Sequence, residues 1–307
     1  MTHTPTSPAN WLAFDLNILR RIEFKSVAMP FTGDPKLGVY LKRRGIRVLA
    51  NDTLQSAWTQ AVAAIQNNSE KLSDDDVNAV LEDIYVPRHK LQNASLRNWF
   101  GETDAWWFDN ARQNLDRLRS PFAFAMAASL VMAVGDYARS FTPETLELRR
   151  PLSNVFRRLW TVTPEPVNNG QNNTCQNKSP DEFIAENFAD LMFLRLPTPG
   201  GRAGNADRTI WREEWLRGGN DFWDDVEASR NGKLGMPVET KSQYLRLLEE
   251  TLRTASNVHH WAISHVETGF VSTQDIVQVI GKIRRVDAIY TKDFSELTGT
   301  KAVIVTA

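Results

Sequence analysis

The chain has 307 residues, with 36 Lys and Arg against 37 Asp and Glu, and a single cysteine, Cys175. A net charge of -1 excludes a uniformly basic nucleic-acid module, so any phosphate contact has to come from a local patch. One cysteine excludes an internal disulfide and a cysteine-cluster metal site. No run approaches the ~20 apolar residues of a membrane span. The longest, Phe122 to Val134, is interrupted by Ser129 and reads as a buried helix. The N-terminal MTHTPTSPAN lacks the basic-then-apolar order of a signal peptide, so a cytoplasmic protein without membrane association is expected.

The first clear unit runs from Ser26 to Asp52. Ser26 to Phe31 reads as a short buried strand, a turn follows at Gly33, and a short helix reaches Leu41-Lys-Arg-Arg44. Gly45 stops that helix, and Ile46 to Ala50 is a second strand. Strand, turn, helix and strand in so short a stretch make a parallel βαβ unit. Residues 53–185 look mostly helical. Thr53 is placed to cap a helix through Gln66, and Ser73 one that opens with Asp74, Asp75 and Asp76. Further helices begin at Thr103, Pro121 and Pro143. Thr163 to Pro180, rich in Asn and Pro, reads as a loop. Alternation of strand and helix then returns, with a helix from Asp181 to Phe188 and a buried strand from Ala189 to Leu194. After a break at Pro197 to Gly201 come a Trp-rich helical stretch from Ile210 to Ser229, a helix from Thr240 to Ala255 and a strand from Val258 to Ser264. A helix capped by Ser272 and strands at Val286–Tyr290 and Ala302–Thr306 complete the pattern.

A strand-to-helix turn puts backbone N–H groups at the carboxyl edge of a sheet, where α/β proteins bind ligands. An acid ending the second strand, here Asp52, either accepts from a ribose diol or caps the helix that starts near Thr53; the spacing leaves both open. Phe31-Thr-Gly-Asp-Pro-Lys-Leu-Gly38, followed by Arg47-Val-Leu-Ala-Asn-Asp52, resembles the Dam-like DNA adenine methyltransferases. These transfer a methyl group from S-adenosylmethionine to the exocyclic amine of adenine. Their Phe-x-Gly-x-Gly motif follows strand one, an Asn-Asp pair ends strand two, and a DNA-recognition region precedes the catalytic strand, here Ala189 to Leu194. Trp261-Ala-Ile-Ser264, the helix start Gly269 to Asp275 and the last strand extend the resemblance from about residue 26 to the end. It implies a Rossmann-like methyltransferase α/β sheet with a large helical insert. Residues 1–57 and 181–307 would form the sheet domain and 58–180 the recognition-like insert. Phe31, Gly33 and Asp52 then stand as vestigial cofactor contacts.

Three departures fall on the implied site. The tetrapeptide Asp-Pro-Pro-Tyr is replaced by Arg195-Leu196-Pro197-Thr198. The family's aspartate accepts from the adenine amine, whereas arginine is donor-only and stays charged. Thr198 offers no ring to stack on a flipped base. Pro35 stands in place of the second glycine, fixing φ and removing an N–H, and Asp34 adds negative charge where the cofactor carboxylate would lie. No Gly-Ser-Lys segment occurs in Met1 to Lys25. The expectation is a pseudoenzyme with no catalytic residues and no cofactor, S-adenosylmethionine being implied only if the chain is active.

Arg149, Arg150, Arg157 and Arg158, with Trp160, lie in the insert and form the candidate phosphate-binding patch. Lys42-Arg43-Arg44 with Arg47 reads either as a contact to phosphate or, the favoured reading, as a solvated helix end. His259 and His260 are adjacent on a strand and face opposite ways, so no metal site is expected there or with His265. The partners implied are double-stranded DNA and an active methyltransferase or restriction component, as in restriction-modification or phage defence. The alternatives are an active DNA adenine methyltransferase with an atypical site, or a structural protein with no nucleic-acid role.

Overall fold

The computed structural model describes residues 9–84, 90–199, 206–267, 269–295 and 300–307. Its strands are β1 (Ser26–Met29), β2 (Arg47–Asn51), β3 (Thr174–Gln176), β4 (Leu191–Arg195), β5 (His260–Glu267), β6 (Ala288–Asp293) and β7 (Lys301–Thr306). They form one sheet in the order β3-β2-β1-β4-β5-β7-β6, parallel except for β7, which runs antiparallel to both neighbours. β1, β2 and β4 are apolar without alternation because both faces of the sheet are covered. The expected adjacency of the first, second and late strands is thus observed, and the sheet is of the Rossmann-like methyltransferase type.

The helices, in chain order, are α1 (Ala9–Leu19), α2 (Lys36–Arg43), α3 (Gln55–Ala61), α4 (Asp74–Leu81), α5 (Glu102–Leu115), α6 (Pro121–Ala138), α7 (Leu152–Thr161), α8 (Pro180–Glu186), α9 (Ala206–Arg217), α10 (Trp223–Arg230), α11 (Lys241–Thr254) and α12 (Thr273–Gly281). On one face of the sheet, Trp11, Phe14 and Ile18 of α1 and Leu37 and Leu41 of α2 pack against Val27, Phe193 and Ile304. On the other, Phe183 of α8, Leu248 of α11 and Ile276 of α12 pack against Met192, Leu194 and Trp261. A third core is entirely helical: Val77, Phe108, Val131 and Phe156 surround Trp211 and Trp215 of α9. α6 is long and apolar enough to cross a membrane by composition, but Ala127, Ala128, Val131, Met132 and Val134 bury it inside this helical core.

The Ser73 and Ser272 caps form as the sequence predicts, both as reciprocal capping boxes, and Thr240, expected as the first helical residue, is the N-cap of α11. Other expectations need correction. Residues Ala9 to Leu19, assigned no element, form α1, whose burial of apolar side chains, not a capping signal, holds it. The Asn-rich loop contains β3, because Cys175 and its neighbours pair with Leu49 to Asn51. Pro143 opens only a 3-10 turn, and the α-helix begins at Leu152. Thr53 is not the cap of α3: Leu54 holds that position, and after Ala61 the helix widens into a π-turn through Gln66. Gly200 and Gly201 of the expected break lie outside the described residues, as does the N-terminal stretch before Ala9.

Two contacts fix the layers. The Asp190 carboxylate accepts from the backbone of Lys25 (2.8 Å) and Ser26 (2.9 Å), pinning the start of β4 to that of β1. Gly135 of α6 lies so near the Trp211 ring that a Cβ there would stand 2.2 Å from Cη2. The ring is fully buried and has nowhere to retreat. Gly135→Ala should therefore destabilise the protein by about 2 kcal/mol, although alanine is the better helix former by about 1 kcal/mol. A urea midpoint at or above that of the unsubstituted chain would contradict this packing.

Candidate functional site

The β1–α2 turn carries the first expected contacts. Gly33 adopts a left-handed φ of +53°, and nothing lies within 4 Å of where its Cβ would stand. Pro35 is the N-cap of α2 with φ -72° and provides no side-chain cap, while Asp34 turns back to accept from the Lys36 N–H at 3.0 Å. Asn51 clamps the edge: its amide donates to the Pro30 and Lys178 carbonyls at 3.0 Å each. Asp52 is buried, and its carboxylate accepts from Gly33 N (2.9 Å) and Leu54 N (3.0 Å). It therefore ties the residue that precedes α3 to the β1–α2 turn. Burial raises the Asp52 carboxyl above the ordinary carboxylate range, against the opposing pull of those two amides.

The space beyond Asp52 is filled by the chain itself. Glu213 of α9, fully buried, accepts from Gln55 N and Ser56 N at 2.8 Å each and from Arg217 Nε at 2.9 Å. Arg230 of α10 donates to Thr53 Oγ1 at 3.2 Å, with the Asp52 and Glu213 charges beside it. Beyond α10, Leu234 is buried in the sheet core. Gly235 approaches so closely that its Cβ would stand 3.3 Å from the Phe31 ring and 3.8 Å from Pro197. Val238 N donates to the Pro199 carbonyl at 3.1 Å and Tyr244 Oη to the Pro197 carbonyl at 2.8 Å. Residues 230–238 thus reach Thr53, Phe31 and the Pro197–Pro199 stretch, while Gly33 stays open.

Arg195 ends β4, where parallel pairing sets it beside Ser264. Its guanidinium bonds Asp15 of α1 at 2.5 Å and lies over the rings of Phe193 (5.6 Å) and Trp11 (5.9 Å). Asp15 is wholly buried, and burial raises its carboxyl to about 6 in spite of Arg195. Leu196 packs into the sheet core, and the cavity bounded by Leu196, Pro197, Thr198, Tyr244 and His265 holds about 20 Å³. That is room for one water, not for a purine ring. Burial depresses His265 to about 4, which keeps it neutral at pH 7.

The insert arginines are not equivalent. Arg149 is held by both oxygens of Asp104, and Arg157 donates to Asn78 Oδ1 at 3.0 Å, whereas Arg150 and Arg158 project to solvent. Among the described residues no group of three His, Cys, Asp or Glu is placed to hold a metal. The sequence reading missed Asp15, Glu213, Arg230 and Leu234. Asp15 had a signal, since it interrupts the apolar face Trp11-Phe14-Ile18 and so needs a buried partner. Glu213 had a weaker one, a charged pair inside a Trp-rich helix.

No protein-family profile matches the chain. Over 320 aligned positions it is 21% identical to the Type II methyltransferase M2.HphI of Haemophilus parahaemolyticus, covering 95% of this chain and 90% of that protein. Fold and similarity together support a methyltransferase-like chain.

The Asp15 shift carries a pH dependence. Because the folded-state value is raised above the unfolded one, the native state binds the extra proton, and stability falls as pH rises from about 4 to about 6. Relative to Asp15→Asn, the unsubstituted protein should lose about 2–3 kcal/mol across that window. Parallel urea stability curves for the two proteins over the window would show that Asp15 titrates normally.

Proposed function

We propose that the chain is a catalytically inactive relative of the Dam-like DNA adenine methyltransferases that acts in the cytoplasm through DNA or partner binding, alongside an active methyltransferase or a restriction or phage-defence component. The observation that carries the reading is Arg195. Adenine N6 methylation needs an acceptor beside the amine so that the nitrogen lone pair faces the methyl donor. Arg195 offers only donors, and it is turned to Asp15 under α1. Thr198 supplies no stacking surface, and the cavity beside it is smaller than a base.

The residues present also fit S-adenosylmethionine poorly. Pro35 withholds the N–H at the first turn of α2, both Asp52 oxygens already accept from the backbone, and Gly235 lies on Phe31 and Pro197. When bound in an active enzyme the cofactor supplies the methyl group; here no step is assigned to it. One observation favours a second reading, an active enzyme with an atypical site: Gly33 keeps the left-handed turn with open space beside it.

Incubation with labelled S-adenosylmethionine and duplex DNA separates the two. No label above a heat-inactivated control is expected in adenine, and Arg195→Asp alone should not restore transfer because Pro35, Leu196 and Thr198 remain. Incorporation by the unsubstituted protein would refute the inactive reading.

A further inference from the structure

We infer that the amino edge of the sheet, around Lys25, Arg43, Arg44 and Arg47, is a face that binds the phosphate backbone of nucleic acid, on the side of the molecule away from the degenerate site. The inference rests on the DNA-associated reading above and gives it a surface. Arg43 is the last residue of α2 and Arg44 its C-cap; Gly45, with φ +81°, turns the chain so that Arg47 opens β2. Arg47 N donates to the Lys25 carbonyl at 2.9 Å, and Ser26 pairs with Arg47 in register, which sets Lys25 and Arg47 on one edge. Arg20 precedes them in the segment that leads from α1 into β1, whereas Arg21 is turned onto Tyr290 of β6 and is not part of this edge.

Of Arg20, Lys25, Arg43, Arg44 and Arg47, four are exposed and Arg47 is half-buried. None takes part in an ion pair among the described residues. On α11 and α12, by contrast, exposed cations are paired: Arg246 with Glu250, Arg253 and Lys282 with Glu249, Lys241 with Asp275. The acids nearby are Glu23 in the same segment and Asp190, whose carboxylate is turned onto Lys25 N and Ser26 N. Helix C-termini favour cations, which accounts for a charge or two at α1 and α2. It does not account for Lys25 and Arg47.

The chemistry matches a phosphate chain. Four of the five are arginines, whose planar forks suit phosphate oxygens. Arg43 lies over the exposed Tyr40 ring at 5.6 Å, which restricts its side chain. The Asn-rich loop docks on the same edge: Asn169 donates to the Ile46 carbonyl at 2.9 Å, and Arg47 Nε to the Asn172 carbonyl at 3.2 Å. Exposed amides beside arginines add uncharged phosphate donors. No exposed large aliphatic side chain lies in residues 20–25 or 43–47 to enter a bilayer, so nucleic acid is favoured over an anionic membrane. Such a face reads no sequence.

The test is binding of the full chain to a mixed-sequence duplex, by anisotropy, between about 50 and 200 mM salt. Arg43→Glu with Arg44→Glu should lower affinity at least about tenfold and flatten the log–log salt slope by about 2. Arg20→Glu with Lys25→Glu should act in the same direction and serves if the first variant fails to fold by circular dichroism. Arg150→Glu with Arg158→Glu, which tests the insert patch separately, should flatten the slope less than Arg43→Glu with Arg44→Glu does. If only that last variant loses affinity, the inference is wrong and DNA association stands. If the unsubstituted chain binds no duplex even at the lowest salt, the DNA-associated reading falls and the inference with it. Arginine-dependent binding to phosphatidylserine vesicles without duplex binding would also overturn it.

Discussion

The carboxylate of Glu213 closes the structure. The start of a helix leaves donors that the helix cannot satisfy itself, and α3 begins immediately after the candidate site. Asp52 takes the donor of Leu54, and Glu213, from the far side of the chain, takes those of Gln55 and Ser56. A buried carboxylate needs such partners, and the positive end of the helix dipole favours it further. The next residue faces the other way: Glu214 accepts from Trp99 Nε1 at 2.6 Å and Trp223 Nε1 at 3.1 Å. Two consecutive acids on α9 therefore fasten the sheet on one side and the helical core on the other.

This fastening also determines what the site has become. Where a ligand-binding α/β sheet leaves its carboxyl edge open, this one folds Arg230, Leu234 and Gly235 across it. Arg195, at the tip of β4, is answered by Asp15 under the same rule that governs any interior charge: it has to be paired. The donor and acceptor inventory of the edge is thus largely satisfied from within the chain. The amino edge is the opposite case, with cations at α2, β1 and β2 that no acid answers.

The sheet was largely legible because it rests on local signals. Ser26 to Met29 and Leu191 to Arg195 are short apolar runs bounded by polar or turn residues, and buried parallel strands leave that trace. Ser73 and Ser272 announce their helices because a cap and its partner lie three residues apart. The arginine at the end of β4 was legible by its chemistry, but not that Asp15 would answer it. α1 was not legible, since it has no acid in its first turn and no base in its last, and its apolar stripe acquires meaning only against the sheet. β3 was hidden for a related reason: three residues between asparagines carry no periodicity, and their strand character comes from the edge of β2. Glu213 and Arg230 reach the site across more than 150 positions, beyond any spacing rule.

The pairing of β1 with β4 has a consequence for how the chain reaches this state. Val27 meets Leu191, and the Asp190 carboxylate holds Ser26 across 164 positions. Closing a flexible segment of that length carries an entropy penalty of about 4–5 kcal/mol, to be met before any contact across it contributes. The helices between can lower it by condensing first, since Val77, Phe108, Val131 and Phe156 meet within one continuous stretch. Their core still lacks Trp211 and Trp215, which arrive only after β4 has been passed. Assembly is therefore expected to be slow relative to proteins of similar size with local topology. During that delay the unpaired edges of β1 and β4 are the surfaces most exposed to wrong partners.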